Sequence, residues 1–553
     1  MKILIIGGVA AGATAGTNIR KKDKDAEIIL LEKGRDTSFK NCEIPYYLSY
    51  MVEESKDLIA RSPQAFKEKN NIDARNYNEA ISINRDEKYV VVKDHKNDKE
   101  YKESYDKLII ATGASPFIPP SIKGLEKERE NVFKVENVVD VENIRAYIGK
   151  TGAKKIFVNG AGFIGLEALE NLTRLDGVDL SLVVRSRVLS ANIDDELAGF
   201  VEDEIAKNVN LIKSDEIVEV SDNTLTFKSG EKSPYDVLIN AIGVRPNSKI
   251  AKDSGLKLTE SGAIDTDRSF LTSDKNIYAI GDVIEVYNPI SRKKQKLNLA
   301  WPAHRQAKFV ADHIVGNSRK TPSFIGSFAL RSFDMNIGST GLTRKALEDN
   351  NIPYKETMIR HVDSVNILPY SKPMNMKIAF DPFTGKIYGF QAVGEGDVVK
   401  RVDIVASLIG MGADIYDLYD SEISYQPIFS TPEDALNTLA SQAIDVFEGD
   451  LKTIMPHELK ERKDEFVIVD IRDRKDFEKS HIKSAINIEM KDFPKKADEF
   501  KDKKVLIYCK SSNRSKSLIK SMQNEGYDNL YMLEGSMVFM EKYQDVLELD
   551  LLE

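Results

Sequence analysis

The sequence predicts an α/β protein with several domains, and three observations lead to this prediction. An apolar strand, a glycine turn, a helix and a second strand follow one another at the N terminus, and the same order recurs at residues 154–187. Three further apolar strands each run into a glycine turn, in residues 105–114, 235–247 and 276–283. Beyond residue 464, short strands alternate with helical segments, as in a small parallel α/β domain.

Composition limits the classes of protein that fit. The chain has 553 residues, of which 41% are hydrophobic and 30% are charged, which suits three or four globular domains. The net charge of −9 argues against nucleic acid or an anionic membrane as partner. No apolar run reaches about 18 residues, and a strand begins at Lys2 with no room for a signal peptide. We therefore expect a cytoplasmic protein without membrane contact, and no metal site.

The first glycine turn has the form of a dinucleotide-binding fingerprint. Gly7 and Gly12 occupy the first and last glycine positions of GxGxxG, while Val9 stands where the middle glycine is usual. Such a turn lets a helix begin close to a strand, where its N terminus attracts a pyrophosphate. Glu32 follows 20 residues after Gly12, at a strand end where a carboxylate can bind ribose hydroxyls. Because the motif is imperfect, the alternative to nucleotide binding is that this turn only packs the helix against the strand.

The second glycine turn carries the complete fingerprint in Gly160, Gly162 and Gly165. Its second strand ends at Arg185 and Arg187, where an NAD site would usually place an acid. Arginines can bind a 2′-phosphate through charge-assisted hydrogen bonds, so NADPH is favoured over NADH. The alternative is that both arginines are solvated surface charges.

Both cysteines of the chain lie in segments suited to sulfur chemistry. Cys42 lies in SFKNCEIPYY, shortly after the first nucleotide unit, and Cys509 lies in IYCKSSNRS, directly after an apolar strand. A cysteine can pack as a small hydrophobe or react as a thiolate, and these loops favour the reactive role. Two cysteines in separate predicted domains form no disulfide framework, in keeping with a reducing compartment.

The order of these motifs resembles the flavin disulfide reductase superfamily, specifically its coenzyme A disulfide reductase branch. The resemblance is carried by GGVAAG, SFKNCEIPYY, ATGASP, GAGFIGLE, AIGVRPN, IYAIGDV and LAWPAHRQA, and it covers residues 1–445. The remainder resembles a single rhodanese domain, and such fusions include coenzyme A persulfide and polysulfide reductases. The resemblance implies a homodimer that uses FAD, a pyridine nucleotide and coenzyme A. The implied domains are FAD-binding (1–115 and 246–322), NAD(P)H-binding (116–245), an α+β dimerisation domain (323–446), a linker (447–463) and a rhodanese-like domain (464–553).

The resemblance also assigns site residues. Residues implied to bind FAD are Gly7, Gly8, Ala10, Ala11, Gly12, Glu32, Lys33, Ala80, Ala111, Thr112, Gly113, Gly281, Asp282 and Ala300. Residues implied to bind NAD(P)H are Gly160, Gly162, Phe163, Ile164, Gly165, Glu167, Arg185, Arg187 and Gly243. Residues implied to bind coenzyme A are Thr14, Asn18, Lys21, Ser38 and Asn41, supported by the basic run of residues 20–22. The implied catalytic residues are Cys42, Tyr425, Cys509 and Arg514.

A single redox thiol restricts the mechanism. Relatives with a CxxxxC pair store two electrons in an internal disulfide, whereas Cys42 can store them only as a mixed disulfide with a small thiol or as a sulfenic acid. The first route gives a coenzyme A disulfide, persulfide or polysulfide reductase, and the second an NAD(P)H oxidase or peroxidase. A redox sensor is a third possibility. For attack on a disulfide the site should lower the pKa of Cys42, and Tyr425 should reach the partner subunit's cysteine.

Three departures from the family pattern bear on the substrate. Glu43 follows the cysteine where a small residue is usual, so its charge opposes thiolate formation. Ile367 and Leu368 replace part of an HxxYYP run, so a second catalytic tyrosine is missing unless Tyr370 substitutes. Glu433 stands where a lysine is usual, which removes a phosphate contact.

The C-terminal cysteine loop has its own predicted chemistry. Cys509 ends a strand and begins a loop whose amides form an anion nest, which stabilises a thiolate or persulfide. Arg514 and Lys510 can hold an anionic sulfur donor. The residues expected to have structural roles are Asp470, Arg472 and His481. Protein phosphatases share this kind of loop but space the cysteine and arginine one residue further apart.

Overall fold

The structure, a computed structural model, describes residues 1–317 and 319–553. These residues form two compact units, one of residues 1–185 and 212–324 and the other of residues 186–211 and 325–553. Within the described ranges, no helix combines the length and the apolar character needed to cross a membrane.

The elements of residues 1–324 follow the predicted alternation of strands and helices. The strands are β1 (Lys2–Ile6), β2 (Glu27–Glu32), β3 (Asp73–Asn76), β4 (Asn78–Asn84), β5 (Tyr89–Asp94), β6 (Lys99–Ser104), β7 (Lys107–Ile110), β8 (Ala114–Pro116), β9 (Val132–Phe133), β10 (Lys155–Asn159), β11 (Asp179–Val184), β12 (Asn210–Lys213), β13 (Ile217–Val220), β14 (Thr224–Phe227), β15 (Lys232–Pro234), β16 (Val237–Asn240), β17 (Val244–Pro246), β18 (Ile277–Ala279), β19 (Val286–Tyr287) and β20 (Lys294–Gln295). The helices are α1 (Ala10–Lys22), α2 (Ile44–Leu48), α3 (Pro63–Asn70), α4 (Val138–Thr151), α5 (Phe163–Leu172), α6 (Asp195–Asn208), α7 (Lys249–Asp253) and α8 (Ala300–Ile314).

The first nucleotide unit is built on a five-stranded sheet with the order β18-β7-β1-β2-β3, in which every paired strand is parallel. Ile3, Leu4 and Ile5 of the central strand are completely buried. A strand that is apolar on both faces is typical of a parallel sheet covered by helices on both sides. Helix α1 is rich in alanine and glycine, so it packs closely on this sheet and on α8. The predicted first unit is confirmed.

The second nucleotide unit is a five-stranded sheet with the order β12-β11-β10-β16-β9. Its central pairs β10–β11 and β10–β16 are parallel, as predicted from the repeat of the first pattern. The antiparallel pair of β8 and β17 lies where the chain enters and leaves this unit. The carboxyl ends of both parallel sheets carry the glycine turns, which is where ligands of open α/β sheets bind.

The elements of residues 325–553 divide between two further sheets. The strands are β21 (Ser327–Ser332), β22 (Met335–Gly341), β23 (Lys355–Val362), β24 (Pro373–Phe380), β25 (Ile387–Gly394), β26 (Thr453–Ile454), β27 (Val467–Asp470), β28 (Ile486–Asn487), β29 (Val505–Tyr508) and β30 (Leu530–Leu533). The helices are α9 (Arg344–Asp349), α10 (Val398–Met411), α11 (Ile415–Tyr419), α12 (Ala435–Glu448), α13 (Pro456–Arg462), α14 (Arg474–Lys479), α15 (Phe493–Lys496), α16 (Asn513–Asn524) and α17 (Ser536–Leu547). The antiparallel sheet has the strand order β21-β22-β25-β24-β23, and the parallel sheet has the strand order β26-β30-β29-β27-β28. The predicted α+β domain and the small parallel domain are both present.

The segment predicted as a linker, residues 447–463, is instead divided between the end of α12 and the C-terminal domain. It contains β26, which pairs in parallel with β30, and it contains α13. Ile454 and Leu459 of this segment are each 1% exposed within the core of the C-terminal domain. Sequence reasoning missed them because a strand of two residues shows no periodicity and charged residues surround both apolar ones.

A buried charge network joins α6 to the antiparallel sheet. Glu196 is completely buried and lies 2.6 Å from the Arg344 guanidinium, while the Lys377 ammonium lies 3.0 Å from Asp194 and 2.9 Å from Glu356. Burial alone would raise the pKa of Glu196, but Arg344 and Lys377 outweigh it and hold that pKa well below its usual range. Buried charges of this kind are tolerated only when they are paired.

Candidate active sites

At the first glycine turn, the backbone leaves no room for side chains. Gly7 has φ +104°, and a Cβ there would lie 2.1 Å from the Ala111 carbonyl oxygen. A Cβ on Gly12 would lie 1.9 Å from the Gly7 carbonyl oxygen. Helix α1 therefore begins directly against β1, and its first N–H groups, which have no partner inside the helix, are available to a phosphate.

Glu32 closes this cradle at the end of β2. Its Oε2 accepts a hydrogen bond of 2.9 Å from Gly8 N, and its Oε1 accepts one of 2.7 Å from Gly34 N. These bonds hold the carboxylate in one orientation while leaving lone pairs that ribose hydroxyls can use. The turn, the helix start and the carboxylate together fit an adenine dinucleotide.

The other residues assigned to FAD lie on or next to several strands and at the starts of two helices. Thr112 Oγ1 donates to the Asn247 carbonyl oxygen at 2.8 Å, which ties the segment after β7 to the segment after β17. Gly281 has φ +80° and donates its N–H to Gln306 Oε1 at 2.6 Å. The remaining assigned positions lie at the start of α1 (Ala10, Ala11), after β2 (Lys33), on β4 (Ala80), after β7 (Ala111, Gly113), after β18 (Asp282) and at the start of α8 (Ala300).

The second glycine turn repeats this geometry with more open space. Gly160 has φ +110°, and a Cβ on Gly165 would lie 2.0 Å from the Gly160 carbonyl oxygen. A Cβ on Gly162, at the start of α5, would have no described atom within 4 Å. Gly243, after β16, has φ +116°. The space beside Gly162 fits a second pyrophosphate, and Phe163, Ile164 and Glu167 lie on the helix that begins there.

The two arginines after β11 differ in their surroundings. Arg185 is exposed, and among the described residues its guanidinium forms no hydrogen bond or ion pair. Arg187 is paired with Asp195 and donates to the Ile193 carbonyl oxygen at 2.7 Å and to the Ser190 carbonyl oxygen at 3.1 Å. The assignment of Arg187 as a phosphate contact is therefore corrected: its guanidinium stabilises the turn before α6, which leaves Arg185 as the candidate.

The Cys42 loop is tied to the first glycine turn. Ser38, in the left-handed region with φ 49°, donates its N–H to the Gly8 carbonyl oxygen at 2.8 Å. Asn41 and Cys42 then lie in a 3₁₀ turn (Asn41–Glu43) that leads directly into α2. The Cys42 thiol is free and reaches the surface. The loop thereby places a free thiol close to the cradle that fits FAD.

The helix after Cys42 packs against the second nucleotide unit. Ser49 Oγ donates to Asn171 Oδ1 on α5 at 2.6 Å. The Arg145 guanidinium lies 3.8 Å from the Tyr47 ring centre and 3.7 Å from that of Tyr50, so it is stacked between two aromatic faces. These contacts bring Glu167 of α5 into the electrostatic environment of the cysteine.

That environment raises the pKa of Cys42. Partial burial has the largest effect, and negative charge on Glu167, Glu43 and Asp282 raises the pKa further. The prediction that the site lowers this pKa is therefore wrong for the protein's own groups, whereas the predicted opposing effect of Glu43 is confirmed. Burial also raises the pKa of Glu167 to about 7, with Glu170 adding to it, and raises that of Asp282 to about 6. The charge around the thiol thus changes near neutral pH.

We expect Glu167→Gln to make Cys42 more reactive above pH 7. Removing the carboxylate charge lowers the pKa of the thiol, so a larger fraction is thiolate at a given pH. Below about pH 6 the two proteins should converge, because wild-type Glu167 is then largely protonated. The pH dependence of iodoacetamide alkylation, followed by mass spectrometry at Cys42, measures this. Cys509 in the same sample is the internal control, and equal Cys42 profiles for both proteins would contradict the expectation.

The basic run at the end of α1 offers fewer free cations to a ligand than its sequence suggests. Arg20 donates to backbone carbonyl oxygens, including that of Asn70 at 2.9 Å, and Lys22 forms an ion pair of 2.5 Å with Asp312. Within the described ranges Lys21 is exposed and forms no ion pair. The interpretation of all three as a phosphate-binding field is corrected, since only Lys21 remains available.

The polar residues assigned to coenzyme A on α1 are held by local bonds. Thr14 Oγ1 lies 2.6 Å from His304 Nδ1 on α8, and Asn18 Nδ2 donates to the Thr14 carbonyl oxygen at 2.8 Å. Thr14, Asn18 and Lys21 follow one another along a single helix. They therefore form a continuous strip on which a long ligand could lie.

Tyr425 lies in an exposed loop of residues 421–430. The Pro427 carbonyl oxygen accepts a 3.2 Å hydrogen bond from Val365 N, which places this loop beside the one that contains Ile367. Ile367 is 90% exposed, and Tyr425 and Tyr370 are about half exposed. Glu433, which stands where the family usually has a lysine, is also exposed. The two loops together present several apolar side chains to solvent.

A buried arginine that the sequence did not reveal holds both loops. Arg401 has no exposed surface and donates to Asp434 Oδ2 at 2.7 Å and to the Asp363 carbonyl oxygen at 3.2 Å. Asp434 also accepts a hydrogen bond of 2.6 Å from Ser430 Oγ. The sequence contains no pattern that distinguishes Arg401 from a surface charge on α10.

In the C-terminal domain, Cys509 lies at the end of β29 and is only 1% exposed. Ser536 Oγ accepts hydrogen bonds from Cys509 N at 3.2 Å and from Ser512 N at 3.1 Å, and it lies 3.9 Å from the sulfur. Burial alone would raise the pKa of Cys509, but polar groups of Ser515, Ser511 and Ser536 outweigh it and lower that pKa. This agrees with the predicted anion nest.

Charged and aromatic residues surround this loop. Lys510 and Arg514 are exposed at the rim. The Arg472 guanidinium donates to Oδ2 of buried Asp470 from Nε at 3.0 Å and from Nη2 at 2.7 Å, and the His481 ring stacks on Phe477 with ring centres 3.7 Å apart. Among the described residues there is no group of three or more metal-binding side chains that could hold an ion.

Comparison with known proteins agrees with this geometry. The family model "Pyridine nucleotide-disulphide oxidoreductase" matches residues 1–307, the dimerisation-domain model of that family matches residues 330–435, and the model "Rhodanese-like domain" matches residues 455–540. The coenzyme A disulfide reductase of Staphylococcus epidermidis is 34% identical over 444 residues, which cover 80% of this chain and 99% of that protein.

Two solved structures match nearly the whole chain. Reduced CoADR-RHD from Bacillus anthracis has a TM-score of 0.93 at 32% identity, covering 99% of this chain and 98% of that one. An NAD-dependent persulfide reductase from A. fulgidus has a TM-score of 0.89 at 31% identity, covering 98% of this chain and all of that one.

Two glycine cradles and a single nearby cysteine define a pyridine nucleotide-disulphide oxidoreductase that uses FAD and NAD(P)H. Within this class, the chain belongs to the coenzyme A disulfide reductase family and carries a fused C-terminal rhodanese-like domain.

Proposed function

We propose that the chain is a homodimeric, FAD-dependent NAD(P)H reductase of coenzyme A disulfide, coenzyme A persulfide or polysulfide. The observation that carries this proposal is the position of Cys42, a free thiol beside the FAD cradle. Cys509, the other cysteine, belongs to a different compact unit. A lone thiol needs an external sulfur partner to complete a disulfide, and the named activities of the relatives supply two such partners, a coenzyme A disulfide and a persulfide.

The chemistry at Cys42 follows from thiol–disulfide exchange. The Cys42 thiolate attacks one sulfur of the substrate, forming a mixed disulfide and releasing the other sulfur as a thiolate. Bound FAD would supply the two electrons from NAD(P)H that reduce this mixed disulfide. Because burial and the protein's own carboxylates raise the pKa of Cys42, the dipoles of the bound flavin and of the peptide backbone would have to favour the thiolate in the working enzyme.

Coenzyme A is proposed to lie along the strip formed by Thr14, Asn18 and Lys21, and to reach the loop of Ser38 and Asn41. Lys21 is the cation available there for the phosphates, because Arg20 and Lys22 are already engaged. Hydroxyl and amide groups supply the remaining hydrogen bonds. This arrangement gives an anionic ligand a local contact despite the acidic total charge.

The homodimer is proposed from the dimerisation domain and from its exposed apolar loops. Ile367, Tyr370, Tyr425, Ile428 and Phe429 are all exposed. Exposed apolar side chains that cluster in this way mark an interaction surface. In the dimer, the Tyr425 hydroxyl would donate a hydrogen bond to the thiolate that leaves Cys42 of the other subunit.

The rhodanese-like domain is proposed to carry sulfane sulfur as a persulfide on Cys509. The lowered pKa of this thiol favours the thiolate that attacks such a sulfur. Arg514 and Lys510 at the rim would hold an anionic donor. The buried Ser536 hydroxyl lies 3.9 Å from the Cys509 sulfur and would stabilise negative charge on the persulfide.

Nucleotide preference is proposed to favour NADPH through Arg185. Arg185→Glu should reduce the NADPH/NADH ratio of kcat/KM about 10–150-fold, which corresponds to roughly 1.5–3 kcal/mol for a lost charge-assisted phosphate contact. Arg187→Gln is the matched control, since this arginine is engaged locally and its loss should leave the ratio unchanged. A ratio that does not respond to Arg185→Glu would contradict the proposal, and the protein would then resemble its NAD-dependent relative in this respect.

A turnover assay tests the function as a whole. Purified protein with NADPH or NADH is offered coenzyme A disulfide, coenzyme A persulfide, polysulfide, oxygen and peroxide in separate reactions. Catalytic turnover with one of the sulfur substrates supports the proposal, and their relative kcat/KM values rank them. Turnover with oxygen or peroxide alone would identify an oxidase or peroxidase that cycles through a Cys42 sulfenic acid. Turnover with none would favour a redox sensor.

A further inference from the structure

A buried carboxyl joins the loop that holds Cys509 to the dimerisation domain. Glu534 directly follows β30 and has no exposed surface. Its Oε1 accepts a hydrogen bond of 2.8 Å from Thr357 Oγ1. Its Oε2 accepts bonds of 3.3 Å from Met358 N and 3.0 Å from Gln442 Nε2. These partners lie on β23 and α12, so both carboxyl oxygens of Glu534 are bound by a neighbouring domain.

Glu534 stands two residues before the serine that shapes the Cys509 loop. The turn between them is tight: Gly535 has φ +68°, and a Cβ there would lie 2.5 Å from the Phe539 ring. Ser536 then binds the N–H groups of Cys509 and Ser512 and lies 3.9 Å from the sulfur. Because this turn is short and crowded, a displacement of Glu534 should displace the Ser536 hydroxyl as well.

Helix α12 also holds the opposite flank of the loop. Asp445 forms ion pairs of 2.8 Å with Lys516 and 2.9 Å with Lys520. Both lysines lie on α16, the helix that begins just after the Cys509 loop. Gln442 and Asp445 are three residues apart and therefore lie on the same face of α12. One helix of the dimerisation domain thus contacts both segments that bracket the loop.

We propose that Glu534 is a positioning residue for sulfur transfer, which holds the Ser536 hydroxyl and the Cys509 loop in place through Thr357, Met358 and Gln442. The inference rests on the proposed role of Cys509. It implies that the reactivity of this thiol depends on a hydroxyl group in a different domain. The alternative is that Glu534 stabilises the domain contact without affecting Cys509.

The protonation of Glu534 determines which variant is conservative. Burial raises the pKa of Glu534 to about 8, against the opposing hydrogen bonds from Thr357 and Met358. The side chain is therefore largely neutral at pH 7, and in that state its protonated oxygen donates to Thr357 Oγ1 instead of accepting from it. Glutamine has nearly the same shape and can donate to Thr357 Oγ1 in the same way. Glu534→Gln should retain the arrangement that Glu534→Ala removes.

The test compares Glu534→Ala, Glu534→Gln and Thr357→Val in the full-length holoenzyme. Two quantities are measured: the rate of sulfur transfer from thiosulfate to a thiol, and the pH dependence of Cys509 alkylation by mass spectrometry. We expect Glu534→Ala and Thr357→Val each to slow sulfur transfer about tenfold and to shift the alkylation profile to higher pH. Glu534→Gln should stay within about twofold of wild type, and the Thr357→Val/Glu534→Ala double variant should be no slower than Glu534→Ala.

Thr340→Val is the matched control. Thr340 is a buried threonine of the same sheet, and its hydroxyl lies 2.8 Å from Ser327 Oγ, away from the C-terminal domain. The Thr340→Val substitution should lower the stability of the protein without shifting the pH dependence of Cys509 alkylation. Wild-type profiles in both Thr357→Val and Glu534→Ala would overturn the inference, as would an equal shift in Thr340→Val. If the wild-type protein transfers no sulfur, the proposed function of Cys509 fails, while the alkylation profiles still decide whether Glu534 positions the loop.

Discussion

Cys42→Ser is expected to lose reduction of coenzyme A disulfide and persulfide by on the order of a thousandfold or more, because a serine hydroxyl cannot form the mixed disulfide. The variant should still fold and bind flavin. The cradle for that cofactor is made by the glycine turn and by Glu32, and Cys42 contributes no hydrogen bond to either among the described contacts. NADPH consumption with each sulfur substrate measures the loss.

The flavin absorbance spectrum of Cys42→Ser is the first control. If the variant carries flavin and accepts electrons from NADPH but does not reduce the disulfide, the substitution has removed the function of the thiol and left flavin binding and flavin reduction intact. Cys509→Ala, assayed in parallel, controls for the general effect of losing a cysteine. Normal turnover of coenzyme A disulfide by Cys42→Ser would refute the mechanism proposed here.

Cys509→Ala is expected to show the opposite pattern: loss of sulfur transfer from thiosulfate or polysulfide to a thiol, with NADPH-dependent disulfide reduction kept within a few fold. The thiol lies in a nest with a lowered pKa, which suits attack on a sulfane sulfur. Neither of the two glycine cradles lies in the C-terminal domain. We therefore expect no flavin to bind in that domain and reduce a persulfide on Cys509.

Measuring both activities on Cys509→Ala also shows how the two thiols cooperate. If reduction and transfer are lost together, the two thiols form one obligatory relay. If neither is lost, the C-terminal domain has only a structural role. Polysulfide as the shared substrate makes the comparison direct, since it can donate to Cys509 or be reduced at Cys42.

Several features of the fold and sites were predictable because a short segment determines them. The crowded glycine turns at Gly7 and Gly160 place limits on backbone angles and side-chain size that only glycine satisfies, so the sequence reveals them without reference to the rest of the chain. The buried strands beside them are apolar on both faces, which identifies a parallel sheet. The loop at Cys509 was recognisable for the same reason, since its cysteine follows a strand directly.

Other features depend on which residues meet across the chain, and these were decided by the tertiary structure alone. Arg185 and Arg187 look equivalent in the sequence, but only Arg187 meets Asp195. The pKa of Cys42 depends on Glu167 and Asp282, which are distant in sequence, and Glu534 is indistinguishable from a surface glutamate until β23 and α12 enclose it. The sequence by itself therefore determined the nucleotide cradles and the two thiol loops, because local backbone geometry dictates them. The tertiary structure decided which charges are free, paired or buried, because those states depend on contacts between residues that are far apart along the chain.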